Sequence, residues 1–280
     1  METIYILLPV HNRKEVTIKF VACLNAQTYK NYHLILIDDG SKDGTEEMVR
    51  NNIAALTVLK GNGNWWWTGC LQQGYKWIRE HSVPLSDVVL IINDDTEFDV
   101  AFLESAIRLL SRNNKTLILS QCLDRETGAV TETGVAADWR RLTFDIATAP
   151  HKINCLSTRG LFMRVSDLFE IGGFHARLLP HYASDYEFTM RARRRGMELI
   201  TDPSLRLWFD KKTTGYRHFG TDPFCVFIKK LFSIKSVANP FVWTAFIALA
   251  CPWKFKIINW LRVWKRTAAQ ITIFLMERAK

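Results

Sequence analysis

The chain has 280 residues, 48% hydrophobic and 23% charged, which excludes a disordered polymer and is enough to bury the core of one large domain. The 37 Lys and Arg against 28 Asp and Glu leave +9, and the excess is local. From Asp222 onward, ten basic residues face two acidic ones, so the last 59 residues carry +8 and the body only +1, which argues against a nucleic-acid binder.

In chain order, the apolar run 4–10 reads as a buried parallel strand, followed by a helix over 14–26. A second strand is expected at 33–38 and a helix opening at 44–50. A short strand at 56–59, a helix at 69–79 and a strand at 87–93 come next. Then come a helix at 102–110 and a strand at 116–120. This β-α-β-α rhythm predicts an α/β domain with a largely parallel, Rossmann-like sheet flanked by helices. From 121 to 164 the pattern is irregular, with hairpin signals at Thr127-Gly128 and Thr133-Gly134. Residues 165–200 read as helical, interrupted at Gly172-Gly173. No repeat or low-complexity linker is visible.

The opening Met1-Glu-Thr-Ile-Tyr lacks the basic start of a signal peptide, and its apolar run is only strand-length. Six scattered Cys without a Cys-x-x-Cys pair suggest reduced core thiols in the cytosol, not a disulfide framework or a zinc site. The apolar run 241–251 is too short to span a bilayer, so it is expected as a buried or interfacial helix. Beyond it, Ile257, Trp260, Leu261, Trp264, Ala268, Ile271 and Leu275 share one face of a helical wheel. Asn259, Arg262, Arg266, Gln270 and Glu277 lie opposite. A basic amphipathic helix with Trp on its apolar face reads as an in-plane binder of an anionic membrane surface; the bland alternative is a helix packed on the body.

Three expected strands end in polar clusters: Pro9-Val-His-Asn12, Asp38-Asp-Gly-Ser41 and Asn93-Asp-Asp-Thr96. Ligands of open parallel sheets bind beyond such strand ends. Asp38 or Asp39 alone would be an ordinary helix cap, but one cap needs one carboxylate, so the other is free to serve a nucleobase or ribose. Asp94 and Asp95 repel each other unless a cation neutralises them, and hard oxygen ligands suit Mg²⁺ or Mn²⁺, which in turn suit a diphosphate. The bland alternative is again a helix start.

Taken together, these segments resemble the family-2 glycosyltransferases and their GT-A fold. The resemblance rests on Pro9-Val-His-Asn12, Ile37-Asp-Asp-Gly-Ser-Lys-Asp-Gly-Thr45, Ile92-Asn-Asp-Asp95, Arg159-Gly-Leu-Phe-Met-Arg164, Gly172-Gly-Phe174 and Ser184-Asp-Tyr-Glu-Phe188. The loop Gly61-Asn-Gly-Asn-Trp-Trp-Trp-Thr-Gly69 is similar to the subset that builds bacterial surface polysaccharides, of the O-antigen or capsule, rhamnosyltransferase-like type. The resemblance covers about residues 3–220 and implies a catalytic domain over 1–221, with a nucleotide-binding half to about 120 and an acceptor-binding half after it; the charge and amphipathic pattern make 222–280 a helical membrane-associating tail. It implies donor contacts from Pro9, His11, Asn12, Asp38, Asp39, Asp94, Trp66 and Arg191, a metal at Asp95 with help from His218, and Asp185 as general base. Two departures stand out: Asn93 replaces the first Asp of the family's Asp-x-Asp motif, and Ser184 replaces a Glu beside the base.

The implied activity is inverting, metal-dependent hexosyl or deoxyhexosyl transfer. The donor would be a UDP- or dTDP-sugar and the acceptor a hydroxyl of a polyprenyl-diphosphate-linked glycan, on the cytoplasmic face of a bacterial inner membrane. A sugar-nucleotide nucleotidyltransferase is the rival enzyme, disfavoured because Pro9-Val-His-Asn-Arg13 lacks a Gly-rich phosphate loop. An inactive glycan-assembly scaffold is the non-enzymatic rival, disfavoured by intact Asp95 and Asp185.

Overall fold

The computed structural model describes residues 1–209 and 223–278, with side chains to 276. The first half alternates as β1 (Ile4–Val10), α1 (Lys14–Asn25), β2 (Tyr32–Asp38), α2 (Thr45–Asn52), β3 (Leu56–Lys60), α3 (Trp66–Glu80), β4 (Val88–Ile91), β5 (Thr96–Phe98) and α4 (Phe102–Leu110). The second half adds β6 (Thr116–Asp124), β7 (Val130–Glu132), β8 (Val135–Asp138), β9 (Thr143–Ile146), β10 (Leu161–Arg164), α5 (Val165–Ile171), α6 (Ser184–Arg194) and β11 (Glu198–Phe209). The described tail holds α7 (Phe224–Leu231), α8 (Pro240–Ala250) and α9 (Trp253–Arg278).

The main sheet runs β3-β2-β1-β4-β10-β6-β11-β5, with β7 paired to β6. Strands β3, β2, β1 and β4 are mutually parallel. β10 runs antiparallel between β4 and β6, and β6 and β11 are parallel to each other. β1, β2 and β4 are apolar on both faces because helices cover both sides. Pro9 is tolerated in β1 because its pairing with β4 stops at Leu7, so the missing N–H breaks no ladder on that side.

One expectation is corrected. Residues 165–200 are not one interrupted helix: α5 stops before Gly172 at φ +88°, α6 stops before Gly196 at φ +82°, and Glu198 already pairs with Thr116 in the sheet. Glycine at positive φ ends a helix without strain, and α6 gives way to the 12-residue strand β11. The irregular region holds the β8–β9 hairpin and the reversed strand β10.

The expected run 241–251 forms α8, which buries Val242, Phe246, Ile247 and Ala250 against Met190 of α6 and the hairpin. Arg194 caps its end by donating to the Leu249 and Ala250 carbonyls, each at 3.1 Å. On α9, the buried positions are Asn259, Val263, Thr267 and Phe274. The apolar face read from the sequence is divided: Ile257 is 71% exposed and Leu261 67%, as is Trp253 at the helix start at 85%, whereas Trp260 and Ile271 are half-buried against the body. Among the described residues, no helix is long and apolar enough to cross a membrane.

Phe246 has no solvent exposure and packs beside Trp139, Phe144 and Trp243. Phe246→Ala should therefore cost about 3–5 kcal/mol of stability, read as a lower denaturation midpoint with an unchanged slope.

Candidate active site

Because β1, β2 and β4 are parallel, their carboxyl ends open on one edge of the sheet. There, His11, Asp39, Asn93, Asp94 and Asp95 line a cavity of about 420 Å³ together with Pro9, Trp66 and Trp67. The His11 ring is fixed: its Nδ1 donates to the Asp39 carbonyl at 2.7 Å, which leaves Nε2 to accept from Asn12 Nδ2 at 3.1 Å. Asn12, at φ +52°, also accepts the Lys42 N–H.

The two neighbouring acids of β2 serve different turns. Asp38 Oδ1 accepts the Ser41 N–H at 2.7 Å, and its side chain is not among those lining the cavity. Asp39 accepts three backbone N–H groups, from Gly63 at 2.8 Å, Trp65 at 2.9 Å and Trp66 at 3.0 Å. It thus does the work of a cap for α3 from outside that helix, satisfying N–H groups that a helix start leaves unpaired. It holds Trp66 at φ +57°, a strained conformation for a bulky residue, with its ring on the cavity. Trp65 and Trp67 pack partly on the core.

Asp94 is buried, the Asp95 side chain is largely covered, and arginines neutralise both. Arg13 Nε donates to Asp94 Oδ2 at 2.8 Å, and its Nη2 stands 3.5 Å from Asp95 Oδ2 without forming a hydrogen bond. Arg159 Nη1 donates to Asp95 Oδ1 at 2.8 Å, while its Nε lies 3.3 Å from Glu132. Its guanidinium also lies over the Phe209 ring. Burial holds the Asp94 carboxyl above its usual range, opposed by Arg13.

Asp185 opens α6, just after Ala183 at φ +62°. It lines a second cavity of about 750 Å³ with Glu132, Arg159 and Tyr182. The two cavities share Arg13, Trp66, Trp67, Asn93, His181 and Lys235 as walls, so they meet. Burial pushes the Asp185 carboxyl up to about 6; the Tyr186 N–H opposes this and the Glu132 carboxylate adds to it. Burial, then the charge of Lys235, holds the His181 ring below the ordinary imidazole range.

Arg191 is not brought to the site. Its guanidinium pairs with buried Glu187 and donates to the carbonyls of Ile171 and Gly173, which leaves it a structural clamp between α5 and α6. His218 lies outside the described residues. The sequence alone assigns no role to Arg13, Arg159, Glu132, His181, Tyr182 or Lys235. Arg13 directly follows the Pro9–Asn12 motif and Arg159 opens another, and that adjacency is the only sequence signal either carries.

The fold is shared with solved glycosyltransferases. S. aureus TarS 1–349 in complex with UDP-GlcNAc superposes at a TM-score of 0.61 and 15% identity, over 96% of this chain and 92% of that one. The mannosyltransferase PcManGT from Pyrobaculum calidifontis, in complex with GDP-Man and Mn²⁺, gives 0.58 and 16%, over 99% and 86%. GalNAc-T7 with UDP, GalNAc and Mn²⁺ gives 0.59 and 14% over 92% of this chain, which spans only 55% of that one. No curated protein matches the sequence significantly. The family model described as glycosyl transferase family 2 matches residues 5–168, which is more than half of the chain. With a GT-A type sheet, acidic strand ends and a family model agreeing along that length, this chain belongs to glycosyl transferase family 2.

Proposed function

We propose that this glycosyltransferase moves a sugar, with inversion, from a UDP- or dTDP-linked donor to a hydroxyl of a lipid-linked glycan in bacterial surface polysaccharide synthesis. The observation that carries this reading is the junction of the two cavities. The first has the acidic strand ends expected of a nucleotide-sugar site, and the second presents a carboxylate at a separate helix start. In the TarS and PcManGT complexes the molecules bound are nucleotide sugars.

In this reading, the donor occupies the first cavity and the acceptor hydroxyl enters the second. Asp185 accepts the hydroxyl proton as the new bond to the sugar forms, and the sugar–phosphate bond breaks on the opposite face. A carboxyl at about 6 is ionised near neutral pH yet more basic than an ordinary Asp, which suits that task. Trp66 offers a face for stacking on sugar or base. Of the sequence-derived donor residues, Pro9, His11, Asp39, Asp94 and Trp66 line the first cavity, while Asn12 and Asp38 shape the turns around it.

A divalent cation, Mg²⁺ or Mn²⁺, belongs to this reading. Asp95 and Asn93 would hold it as hard oxygen ligands on the same cavity wall: Asp95 Oδ1 is taken by Arg159, but the 3.5 Å Arg13 contact to Oδ2 is loose enough to be displaced. With no group of three metal-ligating acid, His or Cys side chains among the described residues, the diphosphate would complete the site. When bound, the cation would supply positive charge to the departing diphosphate. His218 remains a proposed helper.

Membrane attachment by the tail is also proposed. The outward apolar face of α9, with Phe241 of α8 against Trp264, supports an interfacial role on the cytoplasmic leaflet.

Three sets of experiments test these points. A screen of nucleotide sugars should reveal one donor hydrolysed or transferred only with a divalent cation; full activity in excess chelator would remove the metal. Turnover should fall as pH drops through about 6, and Asp185→Asn should lose it by ~10²–10⁴-fold. The same substitution should raise the Tm at pH 8. A raised folded-state pKa means that ionised Asp185 costs stability above about 6, and that this cost vanishes below about 4, where both states are protonated. Finally, replacing Trp253, Ile257 and Leu261 by Ser should release the protein from anionic liposomes with little change in Tm, because all three side chains are largely exposed. Unchanged liposome binding would leave α9 without an anchoring role.

A further inference from the structure

We infer that Lys235, delivered by the loop between α7 and α8, is a protein cation that grips the departing diphosphate alongside the proposed divalent ion. This inference rests on the glycosyltransferase reading and assigns a residue that none of the motifs marks.

Lys235 lines both cavities at their junction, where the bond to the sugar would break. Its ammonium lies 5.2 Å from the centroid of the Trp66 ring, a cation–π contact that holds the charge over the site. Trp66 is itself held in place by Asp39, so the lysine rests on a fixed platform. The loop beneath it is also fixed. Asn239 is buried and donates from Nδ2 to the carbonyls of Phe232 at 2.9 Å and Ser233 at 3.1 Å, while its Oδ1 accepts from the Phe241 N–H. Lys235 therefore projects from a pinned turn.

Charge balance gives the second argument. Arg13 and Arg159 are already paired with Asp94, Asp95 and Glu132. Among the described residues, no carboxylate pairs with the Lys235 ammonium. A diphosphate entering a wall that carries Asp39, Asp94, Asp95, Glu132 and Asp185 meets repulsion, and Lys235 is the cation there with its charge still uncommitted. Beside it, His181 Nδ1 is buried with no hydrogen-bond partner among the described residues, a further polar atom awaiting a ligand. Lysine is suited to this as a point charge on a flexible stem.

The step balances without another reactant. The bond from the sugar carbon to the diphosphate oxygen breaks and its electron pair stays on that oxygen. The acceptor oxygen bonds the carbon, its proton passes to Asp185, and Lys235 keeps its own proton throughout.

The test is binding of UDP, dTDP and GDP, and of their monophosphates, to the full chain by calorimetry. The unaltered protein should prefer a diphosphate to the matching monophosphate. Lys235→Gln should weaken the diphosphate about 10- to 100-fold, leave the monophosphate and the Tm unchanged, and lower kcat more than it raises KM. Lys235→Arg should restore most of the preference. A Lys235→Gln protein that keeps the preference overturns the inference alone, as does one that loses both nucleotides equally along with stability. If the unaltered chain binds none of the three diphosphates, the parent reading falls and takes the inference with it.

Discussion

A ladder of charge running from the buried Asp94 out to the half-exposed Glu132 holds the centre of this molecule together: Asp94, Arg13, Asp95, Arg159 and Glu132 alternate in sign across four separate stretches of chain. Asp94 and Asp95 follow β4, Arg13 precedes α1, Arg159 precedes β10, and Glu132 ends β7. The inner charges, Asp94, Asp95 and Arg159, are tolerable because a neighbour answers each, since an isolated buried ion costs far more than any single contact returns, while Arg13 and Glu132 also reach solvent. The ladder therefore ties the parallel half of the sheet to the half that carries Asp185. It also means that the acids of the strand ends are held by protein before any ligand arrives, so a ligand must exchange partners with them.

Much of the fold is legible in the sequence because periodicity reports burial. The helix over 102–110 appears with those bounds, and β1 coincides with the first apolar run. The second half is harder to read. β10 is four residues long and lies inside a Gly- and Arg-bearing motif, and β11 carries Pro203 and a register shift that breaks its alternation. Short or interrupted strands owe their place to neighbours distant in sequence, which a local window does not see.

The site divides along the same line. Motifs at strand ends point to His11, Asp39, Asp94 and Asp95, because the strands themselves are readable. Arg191 illustrates the opposite case: it is one of four arginines in five residues, 191 and 193–195, and that it turns inward depends on Glu187 and on two carbonyls, of Ile171 and Gly173, outside its helix. Lys235 lies in a loop pinned by Asn239, which carries no spacing signal. Acids that serve as caps and acids that serve as chemistry also look alike in sequence. Asp38 and Asp39 are adjacent, yet one closes a local turn and the other organises a loop 24 to 27 residues away.

Asn259 has a consequence for how this protein behaves in a tube. It is fully buried on α9 and donates to the Trp139 carbonyl at 2.9 Å, so rolling the helix about its axis would strand an amide in an apolar seam. The helix is thus locked with its greasy side outward and cannot hide it by rotating. Kept away from lipid, that side can be covered only by detergent or by a neighbouring molecule, while the tail's positive charge pushes neighbours apart. Colloidal behaviour should reflect that contest: dispersed at low ionic strength, and clustering reversibly as added salt weakens the repulsion but not the greasy contact.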